Sequence, residues 1–157
     1  MKSIKLFLSA IIFSMALFTF NTSFAQYRTA NLETSSSTFE TEVAILVEGI
    51  ETYGFDVVDT DIVEIKKGEA YLWDLTCYGR NEYMVFGYAE KGVEDLGLYV
   101  YNNKDELITT DNGQKNDGVT FANFTANYTT DARIYAKNVD SRSSYKKYKV
   151  AVIIVRK

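Results

Sequence analysis

Two stretches of this chain carry apolar residues on both faces of an extended strand, and that limits the folds open to it. In residues 82–89, Tyr83, Val85 and Ala89 alternate with Met84, Phe86 and Tyr88. Near the C-terminus, Val150, Val152 and Ile154 alternate with Ala151, Ile153 and Val155. Successive side chains of a strand point to opposite faces, so both faces of these two strands need apolar cover. One face fits the interior of a sandwich, and the other needs a roof. Residues 38–54 offer one. Phe39, Val43, Leu46, Val47, Ile50 and Tyr53 recur at steps of three and four, the stripe of an amphipathic helix. Ser37 and Glu40 have capping-box spacing, Glu40 and Glu42 suit the positive end of the dipole, and Gly54 suits a left-handed stop.

The rest of the chain has a period of two. Strands are expected over 62–65, 69–78, 82–89, 96–102, 105–110, 118–126, 131–138 and 145–156. Turn signals at Lys91-Gly92, Asn102-Asn103, Asp111-Asn112-Gly113 and Asp117-Gly118 separate several of them. Many short strands at this spacing indicate a mostly β fold, a β-sandwich or barrel. The expected domain joins the helix at 38–54 to a sandwich at 55–157. The helix is expected to lie on the outer face of the sheet that holds the two doubly apolar strands.

The N-terminus reads as a secretory signal peptide. Lys2 and Lys5 precede an apolar run from Leu6 to Phe20, and Ser23 and Ala25 are small residues placed for cleavage before Gln26. The run is shorter than the roughly 20 residues needed to span a bilayer. Residues 1–25 are therefore expected to be removed, with 26–37 a flexible leader, and the product is expected to be secreted or periplasmic and off the membrane.

Composition narrows the chemistry. The chain has one cysteine, Cys77, so an intramolecular disulfide is impossible, and it has no histidine. The missing histidine removes the usual general base and the commonest metal ligand. The net charge of −4 becomes more negative without Lys2 and Lys5. Such a chain is repelled by nucleic acid at long range.

The motifs Glu82-Tyr83-Met84-Val85-Phe86-Gly87-Tyr88, Glu94-Asp95-Leu96-Gly97-Leu98-Tyr99-Val100-Tyr101-Asn102, and then Glu106-Leu107 and Asp111 resemble the bacterial pre-peptidase C-terminal domain. Val119-Thr120-Phe121 and Ala132-Arg133-Ile134-Tyr135-Ala136 are similar to later strands of that family. The resemblance covers about residues 61–156. It also extends to small stand-alone secreted proteins in which a helix precedes the sandwich. It implies a jelly-roll-like antiparallel β-sandwich of about eight strands and a non-catalytic accessory role, with calcium or polymeric substrates bound in some members. Gly97 stands where the family strand has its second aspartate.

Two candidate sites follow. Tyr99 and Tyr101 share a strand face beside Gly97, a row suited to stacking a sugar ring or gripping an extended peptide. Glu94, Asp95, Asp111 and Asp117, with Glu90 and Asn116 nearby, are oxygen ligands of the kind Ca²⁺ takes, although their spacing is not that of an EF-hand. The bland alternatives are a cross-strand aromatic row that stabilises the sheet and a set of solvated loop acids. Cys77 falls on an apolar face and reads as a core residue. Asp74 and Glu82 are nominal candidates for a two-carboxylate hydrolase. The leading expectation is a non-enzymatic binding protein with no required cofactor, whose partner is a glycan, a peptide or a cell-envelope protein. The alternatives are a structural protein that self-associates or docks and, behind it, the carboxylate hydrolase.

Overall fold

The computed structural model describes residues 38–111 and 115–157. The expected signal peptide, leader and Ser37 cap lie outside the described residues. Phe39–Lys157 forms one compact unit. It opens with helix α1 (Phe39–Thr52). Eight strands follow: β1 (Asp56–Lys66), β2 (Ala70–Cys77), β3 (Asn81–Ala89), β4 (Val93–Asn102), β5 (Leu107–Thr110), β6 (Val119–Ala126), β7 (Thr130–Ser141) and β8 (Lys147–Arg156). No helix among the described residues is long and apolar enough to cross a membrane.

The strands form two four-stranded sheets, ordered β1-β8-β3-β6 and β2-β7-β4-β5. Every neighbouring pair is antiparallel. The pairs β1–β8, β2–β7, β3–β6 and β4–β5 are nested, and they alternate between the two sheets. That is a jelly-roll arrangement, a sandwich rather than a closed barrel. Ile65, Trp73, Val85, Leu96, Leu98, Val100, Ile134, Val150, Val152 and Ile154 fill the space between the sheets. Tyr83 joins them, stacked on Phe124, and its hydroxyl accepts the Tyr78 N–H at 2.7 Å.

The second apolar set of β3 and β8 faces outward. Met84, Tyr88, Ala151, Ile153 and Val155 are nonetheless buried, as are Phe39, Val43 and Ile50 of α1. The helix lies against β1 and β8. At its start, Phe39 stacks on Tyr88 of β3, with ring centroids 5.4 Å apart and planes 6° from parallel. The Tyr88 hydroxyl donates to Glu42 Oε2 at 2.6 Å, and Lys149 of β8 pairs with Glu40. The helix ends in a Schellman motif. Gly54 has φ +83°, its N–H bonds to the Glu51 carbonyl at 2.9 Å, and the Phe55 N–H reaches the Ile50 carbonyl at 3.4 Å.

Three strands run three or more residues past their expected bounds: β1 and β4 at their starts, and β7 at its end, which reaches Ser141. β1 begins at Asp56, because Asp56 and Val57 pair with Arg156 and Val155 of β8, while Val58 falls in a register shift between Val57 and Asp59 that breaks the alternation. β4 begins at Val93, where two register shifts around Asp95 again break the period.

Candidate functional site

The helix covers the outer face of one sheet, and the outer face of the other carries a grid of side chains. Cross-strand register sets its rows. Leu72 of β2 lies opposite Tyr135 of β7, which lies opposite Tyr99 of β4. The next row runs Asp74, Arg133, Tyr101 and Leu107. The preceding row runs Ala70, Lys137 and Gly97. Tyr99 and Tyr101 thus share a face, as the alternation requires, and register adds Tyr135 between them and β2. Tyr135 meets Tyr101 edge to face, with centroids 5.5 Å apart and planes at 85°.

These residues line an open depression of about 430 Å³, bounded by Ala70, Tyr99, Tyr101, Asp105, Tyr135 and Lys137. Gly97 makes its shape possible. A Cβ at Gly97 would lie 3.0 Å from Tyr99 Cε2, 3.2 Å from the Tyr99 hydroxyl oxygen and 3.2 Å from Val139 Cγ2. The Tyr99 ring therefore leans back along its own strand and lies low over the glycine. Burial pushes the Tyr99 hydroxyl above its ordinary pKa, and Asp111, Asp95 and Tyr101 add to the shift. The group is held as a neutral donor at physiological pH.

The rim is fixed by the β4–β5 turn. Asn102 Oδ1 accepts the N–H groups of Lys104 and Glu106, at 2.8 and 3.0 Å. Asp105, at φ +63°, pairs with Arg133. The depression thus presents flat aromatic surfaces, hydroxyl and ammonium donors, and a carboxylate.

The four acidic candidates lie beyond the Gly97 end of the depression, where Asp111 and Asp95 border Tyr99, among cations. Glu94 pairs with Lys115 at 2.8 Å and Arg142 at 3.7 Å. Asp111 accepts from the Thr120 hydroxyl at 2.9 Å. Asp117 sits in a turn at φ +50°, and its N–H donates to the Glu94 carbonyl at 3.1 Å. Burial raises the Asp95 pKa, with the charges of Asp111 and Asp140 adding and Lys115 opposing. Asn116 ties this end together, accepting from the Leu96 N–H at 3.1 Å and donating to the Leu96 carbonyl at 2.8 Å. No group of three or more His, Cys, Asp or Glu side chains suited to a metal converges among the described residues.

Two other candidates are placed plainly. Asp74 is exposed on the outer face of the β2 sheet, and Glu82 is exposed beside Met84 on the outer face of the β3 sheet. They point away from each other across the sandwich, so the two do not make a hydrolytic pair. Cys77 is fully buried in the core, and burial, helped by Asp131, raises its thiol to about 11.

No protein-family model and no curated relative matches the chain. Among solved structures, the chain is similar to PliG of Aeromonas hydrophila, a periplasmic inhibitor of g-type lysozyme. The match has a TM-score of 0.47 and 12% identity, covering 67% of this chain and 90% of that one. At that TM-score the likeness says nothing about what this chain binds.

Proposed function

We propose that this protein is an exported, non-catalytic binding module that takes a saccharide on the tyrosine-lined depression of the β2-β7-β4-β5 sheet. One observation carries the reading. The sandwich covers one outer face with a helix, while the other keeps Tyr99, Tyr101 and Tyr135 around an open depression with Lys137 and Asp105 at its edge. A sugar ring offers an apolar C–H face and a girdle of hydroxyls. The tyrosine rings fit the first, and the lysine, carboxylate and tyrosine hydroxyls fit the second. The signal-like N-terminus supports an extracytoplasmic site of action, and the lack of histidine supports binding without turnover.

The test is calorimetric titration of residues 26–157 with a panel of soluble oligosaccharides, including cell-wall fragments. At least one should bind, and Tyr101→Ala and Tyr135→Ala should each weaken it about tenfold, the scale of one lost aromatic contact. Full affinity in both variants, or no binding across the panel at millimolar concentration, overturns the proposal.

A further inference from the structure

The two sheets have four free edges: β1 and β6 on one, β2 and β5 on the other. A long uncovered edge is a template for another strand, and stable monomers blunt it. β1 is blunted by its own acids. Asp59 Oδ1 accepts the Thr60 N–H and Asp61 Oδ1 the Ile62 N–H, both at 2.8 Å, while Glu69 Oε2 accepts the Lys66 N–H at 2.9 Å. β5 is only four residues long.

β2 has neither protection. It runs for eight residues, and Tyr71 and Leu72 on it are 42% and 40% exposed. Glu69 turns its carbonyl to Asn138 of β7, at 3.0 Å. Alternation from that point sends the N–H and C=O of Ala70, Leu72, Asp74 and Thr76 away from β7. Among the described residues, no side chain caps these groups as those of β1 are capped.

The charge beside this edge selects its occupant. Around this edge Asp59, Asp61, Glu69, Asp74 and Asp131 stand against Lys66 and Lys137, while Lys67 and Arg133 are already paired with Asp140 and Asp105. Asp59 and Asp61 fall on the same face of β1 as core residue Ile65, the face turned to β2, and Asp61 receives the Trp73 indole N–H at 3.3 Å. A second copy of this chain would bring the same acids into register with these. β6, the remaining edge, bears no charged residue. We infer that the β2 edge pairs with an extended, lysine- or arginine-bearing segment of a partner protein, which adds a fifth strand to the sheet.

The probe is a capped octapeptide of alternating Lys and Val, compared with its Glu–Val counterpart. Backbone amide shifts and hydrogen exchange are followed by NMR. The lysine peptide should bind, shift β2 and protect the amides of Ala70, Leu72, Asp74 and Thr76. Leu72→Pro removes one outward N–H without touching the β7 ladder, and should weaken binding about fivefold, the worth of one hydrogen bond. Asp59→Asn with Asp74→Asn, which keeps every side-chain acceptor, should weaken the lysine peptide and not the glutamate one. Equal binding of the two peptides, shifts confined to β6 or the tyrosine depression, no binding at millimolar peptide, or a β2-paired dimer without peptide would each overturn the assignment.

Discussion

Shortening Ile50 tests whether the helix is an integral part of the sandwich. Ile50 is 1% exposed, on the face of α1 that meets the sheet. Ile50→Ala removes the branched end of that side chain and leaves a cavity over the outward side chains of β8. Those side chains cannot move in to fill it, because β8 is paired to β1 on one side and β3 on the other. The cost should therefore sit in the middle of the usual range, about 3 kcal/mol. With a urea m-value of about 1.5 kcal/mol per molar, the unfolding midpoint falls by about 2 M. Tyr53, one turn further along, is 68% exposed and serves as the control. Tyr53→Ala should change stability by about 0.5 kcal/mol or less. Far-ultraviolet dichroism and Trp73 fluorescence should follow the same transition in each variant. If Ile50→Ala unfolds like Tyr53→Ala, the helix does not stabilise the sandwich by covering it, and the reasoning fails.

Three further outcomes are expected. Gly97→Ala forces the Tyr99 ring and Val139 to give way, while a Gly-to-Ala change within a strand returns about 0.5–1 kcal/mol. Thermal stability should hardly move and saccharide affinity should fall; unchanged affinity would show that the low ring of Tyr99 is not part of the surface. Asp95 has its carboxyl raised above 3.8 in the folded chain, so its protonated form is the one folding favours. Its stability contribution is lost as pH rises through the raised value, and Asp95→Asn should stabilise the protein at pH 7, by less than about 1 kcal/mol, and leave it unchanged at pH 3. Equal urea midpoints for the variant and the parent at pH 7 would refute the burial of the Asp95 carboxyl and its repulsion by Asp111 and Asp140. The Cys77 thiol should resist an aromatic disulfide reagent at pH 8 until the protein is unfolded, and prompt labelling of the native chain would contradict its burial.

The architecture was legible where one period dominates. Phe39, Val43 and Ile50 repeat at helical spacing, and the doubly apolar β3 and β8 require such a cover. The start of β1 was hidden because Val57 and Val58 sit among aspartates, and the register shift beside them destroys the alternation that pattern reading relies on. The tyrosine site was half visible for a related reason. Tyr99 and Tyr101 lie two apart on one strand, whereas Tyr135, Lys137 and Ala70 reach the same depression only through the pairing of β2, β7 and β4. Register is a long-range property, and a single sequence does not print it. The acidic candidates show the converse: the acids were visible as a cluster, but Lys115 and Arg142, which face Glu94, arrive from other loops.

Aromatic side-chain NMR with a bound saccharide tests most directly whether the tyrosine face is the binding surface. The rings of Tyr99, Tyr101 and Tyr135 should shift together, while Tyr78, Tyr128 and Tyr145, which are exposed elsewhere, stay in place. Shifts at those outlying rings, with the three sheet tyrosines silent, would contradict it.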